Sequence, residues 1–109
     1  MAKEKGIFIV MAKVPPENED AFNRWYDEEH MPKALNRFPG VMSGRRYKII
    51  DGGDGYNYMA LYEYESYEKL METAKSDALK QLIQEYNDAF GVGNRKRMFA
   101  IEIKSLIAG

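Results

Sequence analysis

Residues Ile7, Phe8, Ile9, Val10 and Met11 form an unbroken apolar run that ends at the pair Pro15-Pro16. Read as a strand from Gly6 to Val14, this run is apolar on both faces, and such a strand is normally covered on both. The strand therefore needs cover on both faces. Pro15 and Pro16 stop the strand, and Pro16 can open a helix, where its missing N–H costs nothing. Glu17, Glu19 and Asp20 fill the next turn, where the helix dipole favours negative charge. Phe22, Trp25, Tyr26 and Glu29 follow at helical spacing. Pro32 disrupts a regular helix, so the sequence ends the first segment near His30. A short second segment then carries Ala34, Leu35 and Phe38 up to Pro39-Gly40.

A second strand is expected from about Val41 to Ile50, and Asp51-Gly52-Gly53-Asp54-Gly55 provides the positive-φ residues of a hairpin turn. The third strand, Tyr56 to Glu65, carries Tyr56, Tyr58, Tyr62 and Tyr64 at one parity and so on one face. Ser66 is placed to cap a helix bearing Leu70, Met71 and Ala74. Ser76-Asp77 restarts that helix through Leu79, Leu82, Ile83, Tyr86 and Phe90, and Gly91 closes it. The last strand, about Lys96 to Leu106, alternates Phe99, Ile101 and Ile103 with Ala100, Glu102 and Lys104.

The order is β-α-β-β-α-β, which makes the fold class α+β and ferredoxin-like: a four-stranded antiparallel sheet with two helices on one face. At 109 residues the chain reads as one domain, residues 1–109. Whichever parity meets the helices, the other sheet face keeps apolar residues, either the tyrosine row or Met59 and Leu61. A face of that kind usually marks an interface, and sheet-to-sheet homodimerisation is the natural cover.

The absences narrow the chemistry. A net charge of −1 gives no field to gather nucleic acid. No apolar run approaches the ~20 residues that span a bilayer, and Met1 to Lys5 lacks a signal-peptide core, so no membrane partner is expected and cytoplasm is the default. The lack of cysteine removes disulfides, thiolate nucleophiles, cysteine-ligated zinc and iron–sulfur clusters. With His30 as the single histidine, a three-histidine metal site within one chain is impossible. Asp51 to Gly55 lacks the spacing of a calcium loop, and Gly91 to Arg97 reads as a helix cap with a solvated basic loop.

The run Trp25-Tyr26-Asp27-Glu28-Glu29-His30-Met31-Pro32, with Phe38-Pro39-Gly40-Val41 and Arg45-Arg46-Tyr47, resembles the EthD-like branch of the dimeric α/β-barrel superfamily. Members show W-Y-x-x-E-H-x-P at the end of the first helix, then P-G-V and R-R-Y on a strand. The resemblance implies a βαββαβ protomer and a homodimer whose two sheets form a barrel. It also implies a small-molecule role, since wider relatives include cofactor-free cyclases, lactone isomerases, lyases and monooxygenases, with haem binders beside them.

His30 is the best general acid/base, being the only side chain with an unperturbed pKa near neutrality. The bland alternative is a histidine that caps the broken helix or bonds a backbone carbonyl. Arg45 is the second catalytic candidate, able to clamp a carboxylate or enolate with Tyr47 donating a hydrogen bond. The rival role for Arg45 is an inter-subunit ion pair. Trp25 and Tyr26 wall a substrate pocket or sit in the core. Tyr58 and Tyr62 line the cavity or pack an interface. Two functions follow. One is a cofactor-independent isomerase, cyclase or lyase that moves a proton on a cyclic or aromatic carbonyl or lactone compound, with no cofactor or metal. The other is a non-catalytic homodimer that binds a small apolar or aromatic ligand. A haem-binding variant, with His30 as its only histidine ligand, ranks behind both.

Overall fold

The strands β1 (Gly6–Ala12), β2 (Val41–Lys48), β3 (Tyr58–Tyr64) and β4 (Arg95–Ile101) form one antiparallel sheet in the order β2-β3-β1-β4. The structure is a computed structural model and describes residues 4–109; the expectation for Met1 to Lys3 lies outside the described residues. β1 and β3 lie at the centre, and both alternate strictly between buried and half-buried positions. Their register sets Phe8 against Tyr62, and β4 adds Phe99 on the other side of Phe8. The Phe8 ring stacks on both, at centroid distances of 5.7 and 4.8 Å.

The parity left open by the sequence is settled here. Tyr58, Ala60, Tyr62 and Tyr64 of β3 face the helices with Phe8, Val10 and Ala12 of β1, and all seven are buried. Each large apolar side chain so buried contributes roughly 1.5–3 kcal/mol. The opposite face carries Ile7, Ile9, Met11, Met59, Leu61 and Met98, all half-buried and covered by no described element. Ile9 sits in register between Leu61 and Met98, so these side chains form a continuous stripe.

The first helical arm differs from the sequence expectation. After the 3-10 turn Pro16–Asn18, α1 (Glu19–Trp25) passes into a π-helical segment (Tyr26–His30) and then α2 (Met31–Arg37). The boundary residues Tyr26, His30 and Met31 all keep right-handed helical dihedrals, so the chain does not break at His30. Pro32 lacks an N–H, and its ring would press on the carbonyl four residues earlier. The π segment widens the turn just ahead of it, with the Met31 amide reaching back to the Tyr26 carbonyl. Pro32 is thus accommodated by a wider turn instead of a helix end.

The second arm follows the sequence. α3 (Tyr67–Ala74) is capped by Ser66, whose Oγ accepts from the Lys69 amide at 3.3 Å. α4 (Asp77–Phe90) is capped by Ser76, whose Oγ accepts from the Leu79 amide at 3.1 Å. Gly91, at φ 87°, closes α4 in the region that a side chain resists. At Gly6 a Cβ would come within 2.8 Å of Leu70 Cβ, so a glycine lets α3 lie directly on the start of β1.

β4 starts at Arg95 and stops at Ile101, short of the expected Leu106. Its partner β1 begins at Gly6, opposite Ile101, and the last bond across runs from the Glu102 amide to the Lys5 carbonyl. Beyond that point no described strand is left to pair. Ile103, Leu106 and Ile107 are consequently more than four-fifths exposed.

Candidate functional site

The π segment delivers Tyr26 and His30 together into the space between helices and sheet, where both are buried. The His30 ring stacks on Trp25 at 4.5 Å and 21°, and meets Tyr26 edge-on at 4.8 Å. Tyr86 of α4 approaches it at 6.1 Å. His30 Nδ1 is fully buried and has no hydrogen-bond partner, so it bonds no backbone carbonyl. Behind it the Tyr26 and Tyr62 hydroxyls meet at 3.5 Å. His30, Tyr26, Tyr62, Phe38, Leu82, Arg95 and Arg97 line a cavity of ≈ 20 Å³, room for about one water.

A second small cavity, of ≈ 10 Å³, lies beyond Tyr26 and Tyr86 towards Tyr58 and Arg46. The Arg46 guanidinium donates to Asp27 Oδ1 at 2.7 Å and to Asn23 Oδ1 at 2.6 Å. It also rests within 6 Å of the rings of Phe22, Tyr26 and Tyr58. Asn23 in turn donates to the Tyr58 hydroxyl at 3.3 Å. A far larger groove, of ≈ 620 Å³, runs between α3 and the chain after β4. That groove is open, and none of its lining residues is a buried titratable group. Convergent buried polar atoms make the His30 cavity the stronger candidate despite its size.

Of the residues singled out in the sequence, Trp25, Tyr26, His30, Tyr58 and Tyr62 come together on the helix side of the sheet. Arg45 and Tyr47 do not. A bulge between Val41 and Ser43 shifts the register so that Arg45 pairs with Leu61 and Tyr47 with Met59, on the open face. The sheet stands between Arg45 and His30, which removes a joint site within one chain. Arg45 is exposed and donates to Ser43 Oγ at 3.1 Å. Glu29, next to His30, is also exposed and points away.

Sequence reasoning missed Arg46, Tyr86 and Arg95. The basic stretch Arg95 to Arg97, expected as a solvated loop, is the start of β4. Arg95 lies half-buried with its guanidinium carbon 3.8 Å from the centroid of the Tyr86 ring, and it donates to Asn87 Oδ1. Alternation carried the signal, because Arg95 and Arg97 share parity with Phe99 and Ile101. The loop between β2 and β3 is the expected hairpin, with positive φ at Gly52, Asp54 and Gly55. Among the described residues no group of three metal-ligating side chains gathers.

A family model described as a domain of unknown function (DUF4286) matches residues 5–101. The chain belongs to that family. No curated protein matches it at a significant level. Solved structures share its fold at low identity. An ethyl tert-butyl ether D (EthD) family protein of Bacillus halodurans C-125 is 19% identical, with a TM-score of 0.68 over 92% of this chain and 99% of that one. The hydroxynitrile lyase of Passiflora edulis is 12% identical, with a TM-score of 0.67 over 95% and 98%. A dimeric protein of unknown function with a ferredoxin-like fold, from Bacteroides fragilis NCTC 9343, is 13% identical, with a TM-score of 0.62 over 90% and 96%. This DUF4286 chain therefore has the EthD-like, ferredoxin-like fold that its motifs suggested.

Burial dominates the electrostatics of the DUF4286 site. It lowers the His30 pKa to about 4, helped by the nearby Arg95 and Lys33 charges and opposed by Glu85. It also raises the Tyr26 and Tyr62 hydroxyls, so both remain protonated donors at neutral pH. The folded chain thus holds a neutral imidazole, whereas the unfolded chain protonates it near the ordinary value of 6.5. The stabilising contribution is full above that value and is lost as pH falls towards about 4. The loss amounts to about 3 kcal/mol. Urea unfolding of the wild type and His30→Leu at both ends of that window checks this. The stability of the wild type relative to the variant should fall by about that amount on acidification. A difference that does not change with pH would exclude a neutral buried histidine.

Proposed function

We propose that this chain is a cofactor-independent enzyme of the isomerase, cyclase or lyase type. It moves a proton on a small cyclic or aromatic carbonyl or lactone compound. One observation carries this reading: His30, whose buried Nδ1 has no partner, lines a cavity together with Tyr26 and Tyr62, whose hydroxyls meet each other. An unpaired basic nitrogen accepts the proton α to a carbonyl. Tyr26 or Tyr62 then steadies the oxyanion that develops, and no step needs a cofactor. Trp25 fixes the imidazole plane by stacking. The lyase of P. edulis shows that a structure of this fold can hold an enzyme. A π segment at the centre of the site agrees with the frequent placement of such segments at functional positions.

Lactones and cyclic ketones screened against the purified chain test the reading through the pH dependence of kcat/KM. The expected profile keeps its activity down to pH 5 and falls through an acid limb near the lowered His30 pKa of about 4. A limb at the ordinary histidine value would remove His30 as the buried base.

A second reading, a non-catalytic ligand-binding or accessory homodimer, is favoured by cavity size. A space of ≈ 20 Å³ admits a substrate only when the seam between α4 and β4 opens. Self-association is common to both readings. The open sheet face presents Ile7, Ile9, Met11, Met59, Leu61 and Met98. Arg45, Glu63 and Lys96 border this stripe, so a two-fold copy can set Arg45 against Glu63 of the partner subunit. The B. fragilis relative is described as dimeric. No described helix is long and apolar enough to cross a membrane. A cytoplasmic setting belongs to the same proposal and rests on the sequence.

A further inference from the structure

The cavity beside His30 has a charge that the proton-transfer reading leaves unused. Arg95 and Arg97 both line it from β4, the uncovered edge strand. No described carboxylate lies within ion-pair distance of either guanidinium. The acidic group of α4 that faces this region, Glu85, is already held by Lys33 at 3.0 Å and by Arg37 at 3.8 Å. Arg95 has its face on Tyr86 and one nitrogen on Asn87, yet its Nε is buried without a partner. The Tyr86 hydroxyl and His30 Nδ1 are buried without partners as well.

Leaving such groups unsatisfied is costly, most of all for the charged one. A ligand in the His30 cavity that accepts hydrogen bonds and carries negative charge can relieve the cost at Arg95 Nε. A carboxylate suits the guanidinium, whose planar N–H groups match its two oxygens. Arg97 lines the cavity and is exposed, and Leu79 and Ile83 supply apolar walls. With the seam between α4 and β4 opened, an anionic head can reach Arg95 past Arg97 while an apolar body lies against those walls.

We infer that Arg95 and Arg97 make the His30 cavity a carboxylate-recognition site, so that its ligand is a cyclic or aromatic carboxylic acid. The inference rests on the reading of that cavity as a ligand site, and it narrows the ligand class. The binding of such an acid brings a negative charge beside His30 and raises the imidazole pKa towards its ordinary value.

His30 is the only histidine of the chain, so its ring resonances in a 13C,15N-labelled sample report the site without ambiguity. Benzoate and its neutral near-isostere benzamide serve as probes, with inorganic phosphate as a competitor. Benzoate is expected to shift the His30 resonances with an affinity about ten-fold or more above that of benzamide, and to raise the imidazole pKa. Phosphate should leave the benzoate complex in place. Arg95→Met and Arg97→Met should each cut the preference, and the first should bring the two probes to within about two-fold. Equal binding of benzoate and benzamide to the wild type overturns the carboxylate assignment and leaves the ligand site standing. Displacement of benzoate by phosphate overturns it in favour of a general oxyanion site. No shift at His30 with either probe overturns both readings. The wild-type comparison needs no variant, so misfolding of Arg95→Met cannot mask the outcome.

Discussion

Substituting His30 by Gln is expected to lower kcat by about 10²–10⁴-fold on any substrate the wild type converts, while KM changes little. The glutamine side chain keeps a polar atom of similar reach in the cavity but cannot take up a proton. The loss therefore measures base catalysis and not packing. Several features make the position sensitive. Trp25 clamps the ring at 4.5 Å, and Tyr26 and Tyr86 meet it from other directions. The imidazole ring is thus held in place by its surroundings. Steady-state kinetics of the folded variant, with near-ultraviolet circular dichroism to verify the aromatic cluster, decide the matter. A variant that retains full turnover would take His30 out of the chemistry and leave it as a core residue.

The second large effect concerns the open face. Leu61→Asp is expected to convert a dimer into a monomer at micromolar concentrations. Leu61 lies in the middle of the apolar stripe, opposite Ile9 and Arg45 in the register. In a two-fold assembly one substitution buries two carboxylates against apolar neighbours, each at a cost of several kcal/mol. The dissociation constant should therefore rise by more than about 10³-fold. Leu61 is half-buried in the protomer and its side chain points away from the helices, so the isolated fold should survive. Sedimentation equilibrium on both proteins measures this directly. A wild type that sediments as a monomer, or a variant that remains dimeric, would show that the apolar stripe is not the interface.

Element order was legible because each signal was local: the prolines at 15 and 16, the tyrosine parity of β3, and the serines at 66 and 76. The end of β4 was not, because it depends on where β1 begins, a hundred residues earlier in the chain. The site was half legible. The W-Y-x-x-E-H-x-P run pointed to Trp25, Tyr26 and His30, which do converge. Arg45 was chosen over Arg46 because nothing local told which parity of β2 meets the helices, and a bulge near Met42 adds to the ambiguity. Arg95 and Tyr86 come from β4 and α4, and only the tertiary fold brings them to His30. Alternation in β4 places Arg95 on one face with Phe99, but no spacing says that this face meets His30.

The π segment has a consequence for how the first arm can change. Phe22, Tyr26, His30 and Ala34 are all buried, and they recur at a strict interval of four residues. At 3.6 residues per turn an interval of four advances by about 40° each time. Three such steps would swing Ala34 about 120° around the rod from Phe22. The wider turn cancels part of that rotation and returns the arm to phase. Removing one residue between Tyr26 and His30 would exchange the wider turn for an ordinary one, a full turn with one residue fewer, and would leave Met31 and Ala34 facing the core. The same deletion inside α1 or α2 would rotate everything beyond it by about 100°. The segment is thus the place where this arm can lose a residue and keep its phase.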